Sequence, residues 1–227
     1  MKQYNTNRYK PGYVGYMYGN IDGTTYDEVY QNTNDSNVKQ ELDKWYKTNI
    51  LDKNLDGNIA DSGFCNDRSI VALQANNGDG VSLDTSTYYS GYKRIITDST
   101  PSYICPNKER DLFTLRTNEI LGNKALTYPV GLITADELAY AGMSGERLLN
   151  RMSFVYSTAS YWTMTPSRFT SNASSASSIT LYSEGRLYQY SNVITTMSIR
   201  PVINLSKDTL ISGGIGTSNN PFVIKAS

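Results

Sequence analysis

From Ser178 to Tyr190 apolar and polar residues alternate on either side of Ser183-Glu184-Gly185. A period of two around a short, glycine-containing turn specifies an antiparallel hairpin, with strands over Ser178 to Tyr182 and Arg186 to Tyr190. Further extended segments are expected at Tyr13 to Gly19, Tyr128 to Ile133, Tyr161 to Thr165 (ended by Pro166), Ile199 to Leu205 and Phe222 to Ile224. Strands do not alternate with helices along the chain, so a parallel sheet is excluded. Ser212 to Thr217 is rich in glycine but no helix follows, which makes it a turn and not a phosphate-binding loop. The fold class expected is α+β, with two short helices, a mostly antiparallel sheet and long loops, in a single domain over 1–227.

The two helices have explicit signals. Val38, Leu42, Trp45 and Tyr46 fall at i, i+4, i+7 and i+8 and form one apolar face. Ser36 or Asn37 is the expected N-cap, and the helix ends near Asn49. Thr134 and Glu137 have the spacing of a capping box, in which hydroxyl and carboxylate each satisfy a backbone N–H. Leu138, Ala139 and Ala141 continue that helix until Gly142, suited to the left-handed residue past its end.

Charge and composition exclude several functions. Lys plus Arg and Asp plus Glu each number 21, so the formal net charge is zero. Such a chain lacks the basic surplus that nucleic acid or an anionic membrane surface requires. No run of apolar residues is long enough to span a bilayer, so this chain is not expected to insert. There is no histidine, which removes Ser-His and Cys-His nucleophile pairs and His-bound metals. The chain holds 25 Ser, 22 Thr and 21 Asn beside 19 Tyr. Tyr, Ser and Asn build antibody-like recognition surfaces, while Tyr is also an ordinary strand residue in loop-rich secreted proteins.

Cys65 and Cys105 stand too far apart for a metal knuckle or redox pair. They fit one structural disulfide in an oxidising compartment, against the alternative of two unrelated buried thiols. Asp52 to Ile59 begins like a calcium loop, but Gly63 occupies the position where a bidentate Glu belongs, so no metal site is assigned. Asp136, Glu137, Glu146 and Glu184 are the carboxylates open to a glycosidase reading, and no pair among them stands out.

The segment from Arg168 to Asn192 holds the candidate binding residues. With Ile179, Leu181 and Leu187 pointing inward, Thr180, Tyr182, Arg186 and Tyr188 take the opposite face, and Tyr190 follows two residues on. An exposed patch of Tyr182, Arg186, Tyr188 and Tyr190 is expected beside a small-residue loop carrying Arg168 and Asn172. Such a surface stacks on sugar rings or anchors a protein. The competing reading is a tyrosine ladder that shields the sheet.

The order of motifs resembles a known family. Tyr161-Trp162-Thr163-Met164-Thr165-Pro166-Ser167, Gly185-Arg186-Leu187, Ile199-Arg200-Pro201-Val202-Ile203-Asn204-Leu205, Ser212-Gly213-Gly214-Ile215-Gly216-Thr217 and Asn220-Pro221-Phe222-Val223-Ile224 follow one another. Upstream stand Tyr13 to Gly19, Trp45-Tyr46, Phe64-Cys65-Asn66-Asp67-Arg68-Ser69 and Tyr128 to Glu137. Together they resemble a C-type lectin-like domain of surface and pilin-like proteins in gram-positive gut bacteria. That domain is related in fold to formylglycine-generating enzymes and to the variable proteins of diversity-generating retroelements.

The resemblance implies a C-type lectin-like fold and an extracellular or cell-surface location. It implies a ligand surface over 168–192, with Trp162, Pro166, Arg200 and Pro201 as scaffold. Relatives of this kind carry an export helix, so the chain is expected to be a piece of a longer exported protein. Ile215 stands where the family's turn has Asp. The catalytic cysteines of the enzymatic branch have no counterpart, so no enzyme and no cofactor is expected. The function expected is recognition or adhesion through a protein or glycan ligand. The alternatives are a self-associating pilus or surface-layer module and a glycan hydrolase.

Overall fold

A computed structural model of the chain describes residues 1–74, 77–117, 120–145, 149–217 and 219–225. The architecture is mixed α+β, with few helices and mostly antiparallel sheets. One sheet of five strands organises it: β1 (Ile70–Val71), β2 (Thr87–Tyr89), β3 (Tyr161–Thr170), β4 (Ser175–Tyr182) and β5 (Arg186–Asn192). Their spatial order is β5-β4-β3-β2-β1, and every pairing is antiparallel. The predicted hairpin is present, with Tyr182 opposite Arg186 and Gly185 at φ +91° in the turn. Among the described residues no helix is long and apolar enough to cross a membrane.

The two signalled helices also form. α1 (Asn37–Asn49) is capped by the Ser36 hydroxyl, which accepts the Lys39 N–H at 3.2 Å. α2 (Ala135–Tyr140) has the complete Thr134–Glu137 box, and Gly142 has φ +87°. Single helical turns over Tyr26–Val29 and Lys108–Asp111, and a wider turn over Ser90–Tyr92 and Lys93–Thr97, add to the two expected. The Tyr26–Val29 turn has its own box, Thr25 with Glu28.

The sheet is covered on both sides. Trp162, Met164, Phe169 and Ala176 pack into the larger core with Val38, Leu42 and Tyr46 of α1. Tyr161, Ile179, Leu181 and Leu187 meet Leu138 of α2, Ile95 and Val155 in a second core. Several hydroxyls inside the sheet are satisfied locally, while the buried Ser178 hydroxyl has no partner. The Thr163 hydroxyl donates to the Ile179 carbonyl at 2.6 Å, and Thr180 and Ser191 share a bond of 2.7 Å.

Several extended segments are corrected. β3 does not stop at Pro166 but continues to Thr170. The proline, which cannot donate to a ladder, sits where the β3–β4 register shifts, between Ser177 opposite Arg168 and Ser178 opposite Pro166. That bulge moves the alternation by one residue, so Phe169 joins Trp162 and Met164 in the larger core. Tyr128 to Ile133 forms no strand; Gly131 makes one isolated bridge to Val202. Gly131 lies against the Phe64 ring, which leaves no room for a side chain there. Tyr13 to Gly19 is mostly a 3-10 turn begun by Pro11, with only Met17–Tyr18 as strand. Ile199 to Leu205 shortens to Asn204–Leu205, paired with Ile59–Ala60. Phe222 to Ile224 shortens to Val223–Ile224, paired with Ile211–Gly213.

Two cross-links hold the irregular half of the chain. Cys65 and Cys105 form a disulfide spanning 40 positions. Arg68 is completely buried, and its Nε donates to Asp111 at 2.8 Å. Its other nitrogens donate to the Met17 carbonyl at 2.8 Å, the Asn32 side chain at 2.9 Å and the Arg110 carbonyl at 3.0 Å.

Arg68→Ala is expected to lower unfolding free energy in urea by about 3–5 kcal/mol, because it strands the buried Asp111 carboxylate. A loss under about 1 kcal/mol would contradict this assignment. The double change Cys65→Ser, Cys105→Ser is expected to cost about 3–4 kcal/mol by freeing the unfolded chain. An unchanged urea midpoint would show that the disulfide is no constraint.

Candidate ligand-binding face

The β4–β5 hairpin carries a ladder of rings. Tyr182 and Tyr188 stack with centroids 4.4 Å apart, and Tyr188 meets Tyr190 edge-on at 5.6 Å. The Arg186 guanidinium lies 5.6 Å from the Tyr182 ring and 5.2 Å from the Tyr188 ring. Its Nε also donates to Glu184 at 2.9 Å across the turn. The turn is braced from outside by the Asn150 N–H, which donates to the Gly185 carbonyl at 2.8 Å.

The ladder is less exposed than the alternation predicts. Thr180 is fully buried, and Tyr182 is half-buried against the larger core. The face opposite Ile179 and Leu181 is therefore partly an inner face, because the sheet has a core on each side. Tyr188 is half-buried, and Tyr190 is exposed at 37%. The exposed recognition surface narrows to the far end of the hairpin.

There Tyr190 meets Arg168. The guanidinium carbon stands 4.0 Å from the Tyr190 ring centroid, the geometry of a cation–π contact. Arg168 is held on β3 opposite Tyr88 of β2 and Ser177 of β4. Asn172 is exposed in the 3-10 turn Ser171–Ala173 between β3 and β4. The Ser171 N–H donates to the Ser86 hydroxyl at 3.1 Å, which ties that turn to the chain entering β2. Arg168, Asn172 and Tyr190 line an open concavity of about 520 Å³ together with Gln74, Tyr88 and Ser177.

The predicted residues thus fall into two groups joined at Tyr190. Tyr182, Arg186 and Tyr188 run along the hairpin, while Arg168 and Asn172 border the concavity. Sequence reasoning missed Gln74, Ser86 and Tyr88, which arrive through the β2–β3 pairing. Their only local signal is Thr87-Tyr88-Tyr89, three good strand formers in a stretch without clear period. Beside them, Tyr92 packs against Tyr88 with centroids 5.0 Å apart. Burial, and then the neighbouring Tyr190 hydroxyl, push the Tyr92 hydroxyl well above the usual phenol range. It stays neutral near pH 7.

The glycosidase carboxylates have other partners. Asp136 receives two bonds from Arg94, at 2.9 and 3.0 Å, and Arg94 also reaches Asp67 at 2.6 Å. Glu137 closes the cap of α2, Glu184 pairs with Arg186, and Glu146 lies outside the described residues. At the calcium-like stretch Asp52 pairs with Lys47 at 3.2 Å. Among the described residues no group of three Cys, Asp or Glu is arranged to hold a metal ion.

Tyr182→Ala is expected to cost about 2–3 kcal/mol in urea unfolding, since the ring packs on the core. Tyr190→Ala should cost less than about 1 kcal/mol, the value of an exposed cation–π contact. Equal losses would show that Tyr190 is a core residue and not part of an open face. Compared with known proteins, no family model matches this chain, and no similar curated protein or solved structure was found.

Proposed function

We propose that this chain is an extracellular or cell-surface recognition domain of C-type lectin-like type, and not an enzyme. It grips a protein or glycan through the end of the Tyr-rich hairpin and the adjoining loop. The observation that carries the reading is the ladder of Tyr182, Tyr188 and Tyr190, bordered by the guanidinium groups of Arg186 and Arg168 and ending at an open concavity. Tyrosine offers apolar area and a hydroxyl with few rotatable bonds, so little entropy is lost on binding. The Cys65–Cys105 disulfide is compatible with an oxidising compartment. The order of motifs resembling C-type lectin-like surface proteins supports the same reading.

A second reading, a surface module that packs against copies of itself, draws on a different feature. The terminal pair Ile211–Gly213 and Val223–Ile224 is exposed on its apolar side chains, with Leu210, Ile215 and Phe222 beside it. Contiguous exposed apolar surface marks interaction sites.

The two readings separate on arrays of glycans and extracellular proteins, run beside sedimentation over a wide concentration range. A monomer that captures a ligand and loses at least about tenfold in affinity on Tyr190→Ala supports recognition. Concentration-dependent oligomers broken by Phe222→Ser and Ile224→Ser, with no array signal, would replace it with self-assembly.

A further inference from the structure

Arg168 is a half-buried cation without a counter-charge among the described residues. None of the ion pairs among the described residues includes it. Its Nε is buried without a hydrogen-bond partner. Arg68, Arg94 and Arg110 each have a carboxylate, Arg68 and Arg110 sharing Asp111 and Arg94 bridging Asp67 and Asp136, whereas Arg168 shares with Arg8 a buried Nε that has no partner and, unlike Arg8, borders a concavity. Removing a guanidinium from water without repayment is costly, so such a group normally has a carboxylate beside it.

The walls around Arg168 are neutral. Among the described residues no Asp or Glu lines the concavity, and its polar groups include the hydroxyls and amides of Ser86, Ser171, Ser177, Asn172 and Gln74. Two rings, Tyr88 and Tyr190, complete it. The Tyr190 ring packs 4.0 Å from the guanidinium carbon, and Arg168 lines the concavity, where a guanidinium is suited to grip a carboxylate.

We propose that this concavity binds the carboxylate of an acidic sugar, with Arg168 as its counter-charge. The proposal rests on the reading of this face as a ligand surface and adds the ligand's chemical class. One positive charge matches one carboxylate, whereas a phosphate dianion would leave an excess negative charge among neutral groups. Hydroxyl and amide walls match the ring hydroxyls of a sugar. An aromatic ring supplies a flat apolar surface for the sugar's C–H face. A volume of about 520 Å³ falls within the range of small-ligand sites.

The test uses the whole chain with glucuronate, galacturonate and N-acetylneuraminate, each against its methyl ester, by ligand-observed NMR and calorimetry. Glucose 6-phosphate forms a separate arm. At least one acid is expected to bind about tenfold or more tightly than its ester, the weight of a charge-assisted bond. Arg168→Gln should bring acid and ester to the same affinity. Asn172→Asp, in an exposed turn that leaves folding intact, should weaken the acid alone.

Failure of every acid to bind overturns the inference. So does tighter binding of the sugar phosphate, or discrimination between acid and ester that survives both variants. Equal binding of acid and ester, lost on Tyr190→Ala, would also overturn the carboxylate assignment while leaving the ligand face standing.

Discussion

The ion pair between Arg68 and Asp111 sits where ordinary secondary structure is scarcest. Outside the five-stranded sheet and α1, most extended pieces are two residues long, too short to fix one another. Arg68 gathers three other segments, bonding at once to Met17, to Asn32 and to the adjacent Arg110 carbonyl and Asp111 carboxylate. Its guanidinium also lies 5.7 Å from the Tyr30 ring and 5.8 Å from Phe113. A buried pair of this kind need not stabilise more than a hydrocarbon cluster would. What it supplies here is direction, since each N–H admits only one arrangement of the strands and turns it meets.

The same logic explains how so polar a chain builds a core. Tyr4, Tyr16, Tyr30, Tyr89 and Tyr161 are all buried, and most of their hydroxyls have named partners. Tyr16 donates to the Val130 carbonyl at 3.2 Å, and Tyr161 to the Val155 carbonyl at 2.8 Å. Much of the tyrosine excess therefore serves the core, where each ring fills volume and the hydroxyls of Tyr16, Tyr30, Tyr89 and Tyr161 satisfy backbone carbonyls. Composition alone does not distinguish that use from a recognition surface; within the hairpin, Tyr188 and Tyr190 at its open end keep the second role within reach.

What was legible in the sequence was local. Caps at Ser36 and Thr134, the face of α1 and the turn at Gly185 rest on contacts within a few residues, and each appears where its signal stands. The errors come from distance. Thr87–Tyr89 is an inner strand because β1 and β3 flank it, and nothing adjacent in sequence announces either neighbour. Tyr128 to Ile133 has a strand's composition but lacks a partner edge beyond one bridge to Val202. Tyr182 alternates correctly yet meets a core, because periodicity gives the face of a strand and not what covers it. One wall of the candidate concavity was hidden for the same reason, as Gln74, Ser86 and Tyr88 reach Arg168 only through pairing across the sheet.

Frame and site are connected through that pairing. Arg68 immediately precedes Ser69, whose carbonyl accepts the Ser90 N–H at 2.8 Å and the Ser90 hydroxyl at 3.1 Å. Ile70 and Val71 then pair with Tyr89 and Tyr88, and Tyr88 stands opposite Arg168. The arginine buried in the core thus fixes β1, β1 fixes β2, and β2 sets the wall that faces the uncompensated cation. A slip of one residue anywhere along this path would turn Tyr88 to the other side of the sheet and Tyr89, now in the core, toward the concavity. The polar hub and the open face are two ends of one register, which is why a chain with so little regular structure can still present a defined surface.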